Sequence, residues 1–123
     1  MPEQPRLQRA LDDYIDYFER LNARSVRLIE KLAVPGMQFQ DPFNDVAGIE
    51  KVEAVLQKMF ADVQSPKFNV HDHAWGRDGR TAYLKWTFTA RMQNGRSLDI
   101  TGVSEVYFND DALVMAHIDY WDP

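Results

Sequence analysis

The spacing of apolar residues changes period once along this chain, and that change restricts the fold more than any other feature. Up to about residue 63 the apolar side chains mostly recur every three or four positions; from Lys67 onward they recur every second position. The first spacing is that of a helix with one buried face, the second that of a strand with one buried face. A chain that runs helices first and strands afterwards lays a helical layer against an antiparallel sheet, an α+β arrangement.

In the helical part, Leu7, Leu11, Tyr14, Phe18 and Leu21 form one stripe, which Leu28 and Leu32 continue. The stripe lapses at Asn22-Ala23-Arg24-Ser25, where Asn22 can end one helix and Ser25 cap another. Two helices are expected, about 6–22 and 25–33. Pro35-Gly36 stops the second. Met37–Asp41 alternates like a short strand, and Asn44-Asp45 with Gly48 supplies turn chemistry. Ile49, Val52, Leu56, Met59 and Val63 mark a helix over 49–63.

The sheet part divides at its turns. Lys67–Trp75 is the first long strand, followed by Gly76-Arg77-Asp78-Gly79. Arg80–Met92 is the second, with Ala82, Leu84, Trp86, Phe88, Ala90 and Met92 on one face. Asn94-Gly95 marks a hairpin. Ser97–Phe108 follows, with a bulge expected at Thr101-Gly102, and Ala112–Trp121 closes the sheet. No repeat, linker or low-complexity segment interrupts residues 1–123, so one domain is expected.

Charge and composition narrow the partners. The formal net charge of −5, without any lysine or arginine cluster, argues against nucleic acid and against anionic membrane surfaces. No apolar run is long enough to span a bilayer, and the segment opening Met1-Pro2-Glu3 does not read as a secretory leader. The absence of cysteine excludes disulfides and thiolate chemistry, and fits a cytoplasmic protein. No phosphate-cradling glycine loop, Gly-x-Ser-x-Gly elbow or His-Glu-x-x-His motif is present, so neither a nucleotide cofactor nor a bound metal is expected. His71 and His73 share a strand face, but a pair without a third ligand reads as a solvated or dimer-facing surface.

Three segments carry a family resemblance: Phe39-Gln40-Asp41-Pro42-Phe43, Gly48-Ile49-Glu50 at a helix start, and Asp119-Tyr120-Trp121-Asp122 at the end of the last strand. Together with the element order they resemble the SnoaL-like group of the nuclear transport factor 2-like superfamily. Ketosteroid isomerases, polyketide cyclases and limonene epoxide hydrolases belong to the same superfamily. The resemblance implies a cone-shaped α+β barrel, its N-terminal helices packed on a curved antiparallel sheet, and a homodimer formed through the outer sheet face.

Candidate site residues follow from both readings. Asp41, between Phe39 and Phe43, is a carboxylate in apolar surroundings. It suits a general base; the alternative is a turn-forming hydrogen bond before Pro42 or a cap on a backbone N–H. The resemblance to ketosteroid isomerases favours the base, and it makes Tyr17, 24 residues earlier, a candidate oxyanion donor. Tyr14 lies on the main helical stripe and Tyr17 beside it, so helix rotation decides which one reaches the interior. Where those isomerases place a protonated acid, this chain has Ser104. On the last strand, alternation puts Leu113, Met115, His117, Asp119 and Trp121 on one face. His117 and Asp119 can then couple as base and orienting partner. Trp86, Phe88, Met115 and Trp121 are expected to line the pocket.

Three functions remain open on this reading. One is a cofactor-independent isomerase or cyclase acting on a small hydrophobic carbonyl compound, with Asp41 or Asp119 as base. The second is a non-catalytic binder of small apolar molecules, and the third a dimeric interaction module.

Overall fold

A computed structural model describes residues 5–123. The first four residues, on which part of the leader reading falls, lie outside the described residues. Helix α1 (Pro5–Glu19) opens the chain, and a short 3₁₀ helix spans Val26–Lys31. Strands β1 (Ala33–Gln40) and β2 (Asp45–Ala47) precede helix α2 (Ile49–Asp62). Four long strands follow: β3 (Val63–Trp75), β4 (Thr81–Met92), β5 (Ser97–Phe108) and β6 (Val114–Tyr120).

The helices bury the residues that their spacing predicts. Leu7, Leu11, Tyr14 and Phe18 of α1 are buried, and so are Val52 and Leu56 of α2. The segment 25–33 is not the α-helix expected. Asn22 Oδ1 accepts from the backbone N–H groups of Arg24 and Ser25, a local side-chain turn that leaves room only for the tighter 3₁₀ helix before β1 begins at Ala33. The strand through Met37 is accordingly longer than its alternation suggested, and Asp45–Ala47, expected as a turn, pairs antiparallel with it.

All six strands join one sheet in the order β2-β1-β6-β5-β4-β3. The sheet is mixed rather than wholly antiparallel, because β1 runs parallel to β6. It is not closed, since β2 and β3 are its two edges. Helix α1 packs against β3, and α2 packs against β1 and β3, so the two helices cover one face of the sheet. The architecture is the α+β, cone-like layering expected. Among the described residues no helix is long and apolar enough to cross a membrane.

Two local features position the site. On β4, Ala82, Leu84, Trp86 and Phe88 are buried, while Tyr83 and Lys85 between them are exposed. Gly102 of β5 lies opposite Trp86 in a continuous ladder, with no bulge at Thr101-Gly102. A Cβ on Gly102 would stand 2.4 Å from the Trp86 ring, so the glycine is there for the indole that lies over it. The bulge falls instead in β6. Tyr107 pairs with Ala116 but Phe108 with Val114, which leaves Met115 as the extra residue. The inward set is therefore Val114, His117 and Asp119. Met115 is 43% exposed and does not line the pocket, contrary to simple alternation.

Candidate functional site

Between α2 and the inner face of the sheet lies a cavity of about 830 Å³, open on one side. Its wall is mostly aromatic and aliphatic, with Phe39, Phe68, Trp86, Phe88 and Trp121 contributing rings. That volume is in the usual range for a small-molecule site. Two of the carboxylates lining it, Asp41 and Asp119, are the two that the sequence singled out.

Asp119 sits at one end of a buried chain of hydrogen bonds. Ser104 lies directly opposite it on β5, and the Ser104 hydroxyl donates to Asp119 Oδ1. The same hydroxyl oxygen accepts from Trp86 Nε1 at 2.8 Å. His117, two residues along on the same face, places Nε2 at 2.6 Å from the same Oδ1. Its other ring nitrogen, Nδ1, is 2.7 Å from the Tyr14 hydroxyl, delivered from α1.

The proton positions follow from these partners. An ionised carboxylate only accepts, so His117 carries its proton on Nε2 and donates it to Asp119. In the neutral ring Nδ1 then accepts from the Tyr14 O–H. Burial pushes the Tyr14 phenol well above its ordinary range, and the Asp119 charge adds to that shift, so the phenol stays protonated. The order of donation is Trp86 to Ser104 to Asp119 from one side, and Tyr14 to His117 to Asp119 from the other. Both sides converge on Oδ1. Oδ2 takes no protein donor among the described residues, while the Asp119 side chain keeps 13% exposure and lines the cavity. A carboxylate held by one oxygen, with the other facing an apolar cavity, is equipped to accept a proton or a hydrogen bond from a ligand.

Asp41 is held differently. Its Oδ1 accepts from the backbone N–H of Phe43 at 2.9 Å and of Asn44 at 2.7 Å. Asn44 Nδ2 reaches both of its oxygens, at 3.0 and 3.2 Å. This is an Asx-type turn before β2, the structural role weighed for an aspartate beside Pro42. The turn presents Phe43, 73% exposed, edge-on to Trp121 with ring centroids 5.5 Å apart.

The remaining candidates divide between the site and its surroundings. Tyr17 is buried and its hydroxyl donates to the Val26 carbonyl at 2.8 Å, tying α1 to the 3₁₀ helix. It does not line the cavity, and Tyr14 holds the position next to His117. Ser104 faces inward beside a void of about 20 Å³ that also borders His117 and Asp119. Glu105 points to the other face, where the Tyr120 hydroxyl donates to it at 2.7 Å. His71 and His73 are exposed on β3, with His71 Nε2 2.9 Å from Thr87 Oγ1. Among the described residues no group of three histidines or carboxylates is placed to hold a metal.

Sequence reasoning missed the Trp86–Ser104 bond and the part played by Gly102. The signal was present: equal steps outward from the turn at Asn94 bring Gly102 opposite Trp86 and Ser104 opposite Leu84. It also missed Phe43 and Lys51 at the cavity mouth.

The profile of the SnoaL-like domain family matches residues 14–116, a stretch running from the C-terminal part of α1 through α2 and β5 to the start of β6. The chain belongs to the SnoaL-like family. Among curated proteins none matches the sequence. Several solved structures share the SnoaL-like fold. A putative SnoaL-like polyketide cyclase from Jannaschia sp. CCS1 superposes with a TM-score of 0.83 at 14% identity, over 99% of this chain and 91% of that one. A steroid delta-isomerase from Pseudomonas aeruginosa gives 0.73 at 22% identity, over 100% and 84%. An LEH-like epoxide hydrolase from M. tuberculosis gives 0.74 at 15% identity, over 98% and 86%. At these identities the likeness establishes the shared fold, and this SnoaL-like chain has to be read for function from its own side chains.

Proposed function

We propose that the cavity binds a small, largely apolar carbonyl compound and that Asp119 is the general base that removes a proton from the carbon beside the carbonyl. The observation that carries this reading is the asymmetry of Asp119. Two donors converge on Oδ1, Oδ2 is left to the cavity, and the rest of the wall is largely apolar. Oδ2 takes the proton, the C–H electron pair becomes a C=C bond, and the carbonyl π electrons move to oxygen, giving an enolate. Returning the proton to a different carbon completes an isomerisation, whereas attack by the enolate carbon on a second carbonyl of the same molecule, whose π electrons move to its oxygen and take the proton back from Asp119, completes a cyclisation. His117 and Ser104 act as positioning residues, because they touch Asp119 and not the cavity's occupant. The fold's occurrence in a putative polyketide cyclase and a steroid delta-isomerase is consistent with this chemistry.

Proton exchange tests the reading without knowledge of the natural substrate. 2-Tetralone, a flat aromatic ketone, is expected to gain deuterium at its α-carbons faster in D₂O with the protein than without it, followed by NMR. Asp119→Asn, which keeps an oxygen at Oδ1 to accept from Ser104 and His117, is expected to lower the catalysed rate at least a hundredfold, an effect of the size general-base catalysis supplies. Binding of apolar ligands without any catalysed exchange would favour the non-catalytic binder.

We also propose that the outer sheet face joins two copies of the chain. Val103 and Tyr120 are cross-strand partners there, at 39% and 55% exposure, and Tyr83 is exposed on the neighbouring β4. These side chains, interspersed with Lys85 and Glu105, make a mixed apolar and polar face that fits a homodimer. Sedimentation at rising concentration reads it directly.

A further inference from the structure

The proposed enolate needs a hydrogen-bond donor, and the three indoles of this chain differ in one respect that identifies a candidate. Trp75 Nε1 donates to Gln8 Oε1 at 2.9 Å, and Trp86 Nε1 donates to Ser104 Oγ at 2.8 Å. Trp121 Nε1 has no protein acceptor among the described residues, although the ring lines the cavity. A buried indole usually places its N–H on an acceptor, as Trp86 does, whereas Trp121 is partly buried and its N–H stays accessible. This one lies at a cavity wall that offers the N–H no protein partner, which leaves the N–H for an occupant.

Of the other side-chain donors lining the cavity, Lys51 alone has no protein partner among the described residues. Asn44 Nδ2 is held by Asp41, and Lys58 Nζ lies 2.6 Å from Asp62 Oδ2. Trp86 and Ser104 donate into the Asp119 chain. Lys51 is exposed on the first turn of α2 at the mouth. Trp121 follows Asp119 by two residues, a separation of roughly 6.5 Å along an extended chain, and both side chains line the same cavity. An acceptor and a donor so placed suit the two adjacent parts of one carbonyl compound, the acidic α-hydrogen and the carbonyl oxygen.

On this basis we infer that the Trp121 indole N–H is the donor to the carbonyl oxygen, and that the site selects enolisable ketones or their enols over hydrocarbons of the same shape. This rests on the reading of Asp119 as base. As the charge moves to oxygen, a donor fixed in advance gains strength without reorganising. The ring has an aromatic neighbour at the cavity mouth. Phe43 packs edge-on against it, and Phe43 is itself held by the Asp41 turn. Asp41 is thereby a positioning residue for Trp121, acting through Phe43.

The test uses two flat probes of nearly equal size, 2-naphthol, which mimics the enol of 2-tetralone, and naphthalene, which lacks the oxygen. Trp121→Phe keeps an aromatic ring and removes the N–H. The inference expects this variant to bind 2-naphthol about tenfold more weakly, the usual worth of one hydrogen bond, and naphthalene as well as wild type does. It also expects the exchange rate of 2-tetralone at saturation to fall by a hundredfold or more, the usual cost of an oxyanion donor, with little change in the half-saturating concentration. Equal losses for both probes would make Trp121 a packing residue only and overturn the inference. Unchanged binding of 2-naphthol would overturn it too. The Asp119 reading stands apart: Asp119→Asn abolishing exchange while Trp121→Phe binds both probes normally would sink this inference alone. Wild-type exchange that survives in Asp119→Asn would sink the base. Failure of the wild type to bind 2-naphthol at all would overturn both.

Discussion

Two aspartates face one cavity, and they are held in opposite ways. Asp41 lies on a turn and gives both oxygens to neighbours within three residues of it. Asp119 lies on a strand in the sheet and gives one oxygen to partners from β5 and β6, backed by residues from α1 and β4. A carboxylate whose acceptor sites are filled by local donors stabilises a turn. One whose partners arrive from distant parts of the chain and converge on a single oxygen is oriented, with the second oxygen left over. Burial does not separate the two residues as well as this difference in partners does.

The contrast can be broken at several points, with effects of decreasing size. Gly102→Ala attacks the support of Asp119. The added Cβ meets the Trp86 ring at 2.4 Å, so the indole has to move and its N–H leaves Ser104. The expected cost is about 3 kcal/mol in urea unfolding, at the upper end for overpacking, together with a clear fall in the 2-tetralone exchange rate. A variant as stable and active as wild type would show that the Trp86–Ser104 link does not support the site.

Asp41→Ala attacks the turn. It removes the acceptor for two backbone N–H groups, and about 1 kcal/mol of stability is expected to go with it. Exchange is expected to fall by only a few fold, through looser seating of Phe43 on Trp121. A loss of activity matching that of an Asp119 variant would put the two carboxylates on the same footing.

A third carboxylate sharpens the comparison from outside the cavity. Glu53 on α2 has Oε2 buried without a partner, and its carboxyl is pushed up chiefly by burial, then by its contact with Glu30. A carboxyl raised in the folded state favours folding while protonated, and that contribution is lost as pH rises through the raised value. At pH 7 the ionised group is therefore a small liability. Glu53→Gln is expected to melt slightly higher than wild type at pH 7, and the gain is expected to vanish below the ordinary glutamate range, near pH 4. A constant difference across that range would remove the ionisation from the explanation.

Much of this arrangement can be read from residue spacing, and the unread parts share a cause. The buried stripe of α1 and the inward face of β4 follow directly from period, because each depends on one element alone. His117 and Asp119 share an inward face for the same reason. Met115 was misplaced because a bulge shifts strand parity, and the bulge is visible only in the pairing with β5. The parallel pairing of β1 with β6 joins segments far apart in the chain, and no local signal reports it. Helix rotation decides between Tyr14 and Tyr17: one turn face meets His117, and the other meets the Val26 carbonyl. The role of Asp41 was legible in principle, since Asp-Pro-Phe-Asn is turn chemistry, but the same residues also carry the family resemblance.

The most direct test of the account measures 2-tetralone deuterium exchange on Asp119→Asn and Asp41→Asn side by side, with wild type as reference. Both changes remove a charge and keep the shape of the side chain. The account predicts at least a hundredfold loss for Asp119→Asn and no more than a few-fold loss for Asp41→Asn. The reverse pattern, with Asp41→Asn inactive and Asp119→Asn near the wild-type rate, would contradict it.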